Sequence, residues 1–429
     1  VYAVVDDPKD ANMLYVGTEF GLWFTRNGGQ QWTRLRGGLP TIQVRDLVIQ
    51  KRDDDLVLAT FGRGFYILDD LAALRAATPQ VLTAEAALLP VARAPMYVQS
   101  NVFAGGVVGW AGGSFWDVPN PPYGATFTYF LKNELRTRRQ QRQAAERTAS
   151  RRGGDVFYPS WDSLRVEDRE EAPAIILTVS DAQGNVIRRL AGPTTAGIQH
   201  VSWDLRHAPP TPPRAGAPSD DEEGGGGRGG GAGPVVTPGS YTVSLAKRVD
   251  GVTTPLGAAQ KFDVYLLDES LPARPAAVVA FQQQVTKLQR AMIGANSLVD
   301  ELATRTQALL RATEETPSAP AKLATDIRAV EKELRDMRET LNGDPTMSRR
   351  QEPSPPSLMG RLNTLAQGAR SLDAPTGTQQ HQYDIVAGEY SKLQGRLRAI
   401  VDTELKRVES AAEQAGVPWT SGRIPEWRP

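Results

Sequence analysis

The chain has 429 residues, no cysteine, and 49 basic residues balanced by 49 acidic ones. Without thiols it has no disulfide, no thiol nucleophile and no thiolate metal site. Zero net charge leaves no overall field toward nucleic acid or an anionic membrane, and no apolar run comes near the roughly 18 residues of a transmembrane helix.

The N-terminal region repeats itself. Val1-Tyr2-Ala3-Val4-Val5, a polar turn, then residues 13–18 and 21–24 line up with residues 44–49, a polar turn, then 56–60 and 64–67. Gly21 and Gly64 stand 43 positions apart, within the roughly 40–50 residues of a four-stranded propeller blade. In the first repeat, residues 25–32 read as a hairpin turn. Thr25 ends a strand, Asn27 bonds the turn backbone, Gly28 and Gly29 take positive φ, and Trp32 returns over the hairpin. Residues 1–75 are therefore expected to form the terminal blades of a β-propeller. Because a ring needs roughly 4–8 blades, the chain is expected to be the C-terminal part of a longer protein.

Residues 76–123 read as a connector and a glycine-rich loop with Trp110, Phe115 and Trp116. From 124 to 268, short alternating segments at 125–131, 175–179, 186–190, 198–205, 241–245 and 261–267 predict an immunoglobulin-like β-sandwich, with Trp203 as a large apolar residue. Two inserts interrupt it. Residues 132–154 carry Arg136, Arg138, Arg139, Arg142, Arg147, Arg151 and Arg152, and read as a solvated helix; a nucleic-acid arm would interleave aromatic residues for stacking. Residues 209–234 are rich in Pro, Gly and acidic residues, cannot bury a core, and are expected to be a disordered loop. Their acidic run, Asp220-Asp221-Glu222-Glu223, lacks the fixed oxygen cage that calcium prefers.

After Pro275 the period becomes helical. Apolar residues follow steps of four and three through Phe281 to Leu309, Leu323 to Leu341 and Leu358 to Leu372. A fourth, less regular stripe runs through Val386, Tyr390, Leu393, Leu397, Val401, Leu405, Val408 and Ala412. Residues 275–415 are thus expected to form an antiparallel four-helix bundle that buries its own seams; the alternative is an open groove or dimer contact. The tail, 416–429, is apolar enough that Trp419 and Trp427 are expected to dock. The fold class expected is multidomain, β then α.

Residues 25–32 resemble the Asp-box pattern S-x-D-x-G-x-x-W, with Thr25, Asn27, Gly29 and Trp32 at its defining positions and Thr and Asn replacing Ser and Asp. Residues 60–70 resemble the closing blade of bacterial sialidase-like, sortilin-type propeller proteins. Residues 179–184, 201–206 and 238–243 resemble the Ig-like module that follows it, and the helical end resembles their C-terminal extension. The resemblance implies a secreted, periplasmic or cell-surface protein, and a label of glycosyl hydrolase that the residues must justify. A sialidase needs an arginine cluster, a Tyr/Glu nucleophile pair and an acidic proton donor from several blades, which two repeats cannot assemble. No catalytic residue is assigned. Glu19 and Arg63, in blade loops, are the binding candidates. Arg63, between two glycines, suits an anionic group or closes the blade structurally. His200, His207 and His381 lack metal-ligand spacing, there is no G-x-S-x-G elbow, and the glycine run 224–231 is no phosphate loop, so no metal or cofactor is expected. The expectation is a non-catalytic extracytoplasmic binding or scaffold protein for a protein, peptide or glycan ligand, without a nucleic-acid partner, and with the bundle as a route to self-association. The alternative is a glycoside hydrolase whose catalytic residues lie mainly in blades outside this chain.

Overall fold

The computed structural model describes residues 1–97, 121–211, 233–268, 276–368 and 374–425. Trp110, Phe115 and Trp116 of the glycine-rich loop, the acidic run at 220–223 with its glycines, and Trp427 lie outside them. Up to Leu266 the described residues are mostly β sheet, with a curled half-barrel, and a C-terminal helical region follows. They divide into two units, 1–206 with 238–268, and 276–425 with 207–211 and 233–237.

In the first unit, β1 (Ala3–Asp6), β2 (Leu14–Thr18), β3 (Gly21–Thr25) and β4 (Thr33–Leu35) form one antiparallel sheet in chain order. The second repeat supplies a three-stranded sheet of β5 (Val44–Gln50), β6 (Asp55–Thr60) and β7 (Phe65–Leu68). Alternation turns Tyr15, Leu22 and Phe24 of the first sheet and Val44, Leu47, Leu56 and Leu58 of the second into one shared core. Gly17 permits the approach, because a Cβ there would stand 2.7 Å from the Val44 carbonyl oxygen.

One arginine ties the repeats together at the base of these strands. Helix α1 (Leu71–Ala76) starts on Asp70, whose carboxylate accepts from the Ala72 N–H at 3.1 Å, and ends with Arg75. The Arg75 Nε donates to Asp7 Oδ2 at 2.8 Å, just after β1, and its Nη2 donates to Asp54 Oδ1 at 2.8 Å, between β5 and β6. Tyr15 and Lys9 complete the cluster, on Asp7 at 3.2 Å and Asp54 at 2.9 Å. Arg26, in the β3–β4 turn, donates to the Leu74 and Arg75 carbonyls and closes the C-terminal end of α1.

After α2 (Pro79–Thr83) come β8 (Ala86–Leu88), β9 (Ala94–Met96) and β10 (Ala125–Leu131). Helices α3 (Arg138–Arg151) and α4 (Trp161–Arg169) precede β11 (Ala174–Ser180), β12 (Val186–Gly192) and β13 (Gly197–Trp203). The last strands are β14 (Gly239–Val249), β15 (Val252–Pro255) and β16 (Gln260–Leu266). One sheet has the order β13-β10-β8; the other runs β12-β11-β14-β16-β9, with β15 on β14 and β9 parallel to β16. Their inner faces meet through rings. Phe127 and Phe262 stand 5.4 Å apart between centroids, and Trp203 and Tyr241 5.5 Å apart, both edge to face. The Trp203 Nε1–H donates to the Arg206 carbonyl at 2.9 Å, so this fully buried indole leaves no orphan donor. Two features differ from the sequence reading. The expected connector contributes β8 and β9, whose three residues are too few to display alternation. The basic insert is a helical hairpin extending to Arg169, well past Gly154.

The second unit contains α5 (Ala276–Glu315), α6 (Ala321–Asn342), α7 (Pro345–Arg349), α8 (Leu358–Gly368), α9 (Gly377–Ala399) and α10 (Leu405–Gln414). Helix α6 buries Leu323, Ile327, Val330, Leu334, Met337 and Leu341 against a core to which α5, α8, α9 and α10 contribute. A π-helical turn, Ile400–Glu404, separates α9 from α10. Its wider turn moves the stripe, so Ile400 is buried where Val401 was expected, and Leu405 resumes the seam. In the tail, Val417 is buried, and Trp419 is exposed with the Arg423 guanidinium 4.5 Å from its ring.

The bond to Arg75 holds the Asp54 carboxyl below the usual carboxylate range despite burial. That contribution is present above about pH 4 and lost as pH falls through the depressed folded-state pKa. Arg75→Met leaves buried carboxylate without its main counter-charge and is expected to cost about 3–5 kcal/mol at neutral pH. Protonation then relieves the defect, so denaturant unfolding should show the variant regaining stability from pH 7 to about 5 while the wild type does not. Parallel pH dependences would contradict the assignment.

Candidate recognition face

At the end of the strands away from Arg75, the hairpins β2–β3 and β6–β7 turn in matching ways. Thr18 Oγ1 donates to the Gly21 carbonyl at 2.8 Å, and Thr60 Oγ1 donates to the Gly64 carbonyl at 2.7 Å. Both glycines have positive φ, which is why the repeat places Gly at this point. The tips project Phe20 and Phe61, 64% and 65% exposed.

A polar and aromatic network links the tips. Glu19 accepts the Tyr2 hydroxyl proton on one oxygen and the Gln43 amide on the other. The Tyr2 bond is the main reason that the Glu19 carboxyl is held below its ordinary range, and the same bond pushes the Tyr2 hydroxyl up. The Arg45 guanidinium lies 4.2 Å from the centre of the Tyr2 ring and 5.3 Å from that of Phe61. The Phe61 N–H donates to the Gln43 carbonyl at 3.0 Å. Gln43 Oε1 is buried and accepts no hydrogen bond among the described residues. Arg34, on β4, lies over Gly21, where a Cβ would come within 3.4 Å of its Nε, and donates to Thr41 Oγ1 at 2.9 Å.

The two sequence candidates therefore differ in state. Glu19 is engaged at both oxygens and acts as a bracket for Tyr2 and Gln43. Arg63 is exposed, and among the described residues its side chain makes no ion pair or hydrogen bond. Tyr2, Arg34, Gln43 and Arg45 were not singled out by the sequence reading. Arg45 had a legible signal: strict alternation cannot place both Val44 and Leu47 in the core, so the strand needs an extra residue between them. The register shift between Val44 and Asp46 supplies it and leaves Arg45 outside.

The Asp-box-like turn sits at the opposite end of β3. Thr25 Oγ1 donates to Asn27 Oδ1 at 2.9 Å and accepts from the Gly29 N–H at 3.1 Å, while Asn27 Oδ1 accepts from the Gln31 N–H at 2.8 Å. Trp32 lies beside Gly29, its ring 3.7 Å from where a Cβ would be, and is partly exposed. These residues close a turn and do not join the network around Glu19. His200 Nδ1 is 3.0 Å from Thr128 Oγ1 on the paired strand, and burial pushes its pKa down. Among the described residues, no three His, Asp or Glu side chains group as a metal site. Nor is any helix among them long and apolar enough to cross a membrane.

No protein-family model matches the chain, and no curated protein matches it. Among solved structures it is similar to the extracellular domain of a proposed one component system from B. thetaiotaomicron, at 12% identity over 63% of this chain and 25% of that one, with a TM-score of 0.14. It is also similar to the extracellular domain of a proposed hybrid two component system from the same organism, at 8% identity over 62% and 32%, with a TM-score of 0.14. The chain spans about a quarter and a third of those structures.

Glu19→Gln removes the carboxylate that holds the Tyr2 proton. Ultraviolet difference titration should show one tyrosine ionising at lower pH than in the wild type; coincident curves would contradict the bracket role.

Proposed function

We propose that the hairpin-tip face of the two repeats is a non-catalytic recognition surface for a protein, peptide or glycan ligand carrying an acidic group. The single observation behind this reading is the open Arg63 guanidinium on the hairpin tip that also exposes the Phe61 ring, with the Phe20 ring exposed on the matching tip. Rings supply apolar contact at little conformational cost, and an unpaired guanidinium offers a planar set of donors to a carboxylate or sulfate. The Glu19 network holds Tyr2 and Arg45 in place beside them, which lowers the ordering cost of binding. The Tyr2–Glu19 hydrogen bond is the one contact here of the kind a nucleophile–base pair makes, but Glu19 also holds the Gln43 amide and, among the described residues, no acidic proton donor joins the network, which favours binding over turnover.

In the same reading the repeats are the end of an Asp-box propeller in an exported protein. The 43-residue offset, the matched Thr–Gly turns and the Thr25–Asn27 bonds support it. The two sheets that meet at Trp203 are read as an Ig-like sandwich, supported by their strand order and by β9 lying parallel to β16. The helical unit is read as a four-helix bundle, supported by the core that α5, α6, α8 and the α9–α10 run share.

Screening the chain on peptide and glycan arrays, alongside fluorogenic glycosides, tests the proposal. Binding without turnover is expected, weakened by about 1–3 kcal/mol in Arg63→Ala, the cost of losing a charged hydrogen bond. Glycoside turnover, or binding indifferent to both Arg63→Ala and Phe61→Ala, would overturn it.

A further inference from the structure

The α3–α4 hairpin buries no residue in either helix. Charge holds it together. Arg142 forks onto Glu167, Nε to Oε1 at 2.6 Å and Nη2 to Oε2 at 2.8 Å, and Arg139 pairs with Asp168, so the helices run antiparallel. At the root, Arg138 pairs with Asp250 at 2.7 Å. These bonds use up the arginines of the first part of α3. At its far end, Arg147, Arg151 and Arg152 are exposed and make no ion pair among the described residues.

The same end carries the hairpin's aromatic residues. Phe157, Tyr158 and Trp161 are 82%, 77% and 70% exposed, and Tyr158 and Trp161 stand edge to face with centroids 6.1 Å apart. Val156 is exposed beside them. Three large rings within five residues, at the tip of an element that buries nothing, serve no core. The aromatic component missing from the basic insert when read as sequence is therefore present in the fold, in the α3–α4 connection and the first residue of α4.

We propose that this tip is a peripheral contact for an anionic phospholipid surface, in which Phe157, Tyr158 and Trp161 enter the headgroup layer and Arg147, Arg151 and Arg152 meet lipid phosphates. Charge complementarity selects the occupant: unneutralised guanidinium groups flank rings of the kind that settle at membrane–water interfaces. A single-stranded nucleic acid would want rings spread along a groove that follows its backbone, and here they cluster at a turn. Because the whole chain has no net charge, the attraction is local, reversible and sensitive to salt.

Co-sedimentation of the chain with phosphatidylcholine vesicles, with and without phosphatidylserine, tests this. The wild type should pellet with the phosphatidylserine vesicles and lose binding at high salt. The triple variant Arg147→Gln, Arg151→Gln, Arg152→Gln should weaken binding roughly a hundredfold, at about fivefold per arginine. The double variant Phe157→Ser, Trp161→Ser should weaken it about tenfold or more through lost apolar burial. Circular dichroism should be unchanged in both, since the replaced side chains are exposed. No vesicle binding, or binding that neither variant weakens, overturns the proposal. Binding to polyuridylate without vesicle binding would assign the tip to nucleic acid. Sedimentation-velocity dimers that only the tip variants dissolve, again without vesicle binding, would assign it to self-contact.

Discussion

The relation between the two N-terminal repeats depends on Arg75. Its guanidinium lies between Asp7 and Asp54, one from each repeat, with both carboxylates and the arginine largely shielded from water. Such a group is not a strong net stabiliser, because removing three charges from water costs nearly as much as their attraction returns. What it supplies is selectivity. Any other stacking of the two sheets would leave a buried carboxylate unpaired, and that penalty is large. The apolar core between the sheets tolerates small slips; the charge cluster and the close approach at Gly17 do not.

Everything at the far end of the strands inherits that alignment. Strands β2 and β6 start beside the cluster and end at Thr18 and Thr60, so fixing their origins fixes the spacing of Phe20 and Phe61. Arg45 then spans the gap, stacked on Tyr2 and Phe61, with Glu19 holding Tyr2. The charged side chains of this face divide into those already spent on the scaffold and those left over. Glu19 belongs to the first kind and Arg63 to the second, although in sequence they occupy comparable loops. The same division runs through the α3–α4 hairpin, whose paired arginines maintain the shape and whose unpaired ones sit beside the exposed rings.

Features with local causes were legible in the sequence. The Gly21 to Gly64 offset marked the repeat because each glycine must take positive φ at a turn. The α6 stripe, Leu323 to Leu341, kept a strict alternation of four and three, and all six of its residues are buried. Less legible features needed partners distant in sequence or a break in periodicity. Nothing near Arg75 announces Asp7, which lies 68 positions away. The π-helical turn at Ile400 shifts a pattern by one position, and a strict period reads through such a shift; the extra residue at Arg45 showed only as the conflict between Val44 and Leu47. Strands β8 and β9 owe their existence to the sheets they join, since three residues carry almost no preference of their own. For the candidate site, residue type was visible but availability was not, because it depends on which carboxylates and hydroxyls the fold brings within reach.

The most direct measurement is native-state hydrogen exchange of the amides in β2, β3, β5 and β6, in the wild type and in Asp7→Asn. If the buried charge cluster makes the two repeats one cooperative unit, amides of both should open with a common free energy and lose protection together in the variant. If the second repeat keeps its protection while the first alone loses it, the repeats are independent, and the account of a jointly aligned face is wrong.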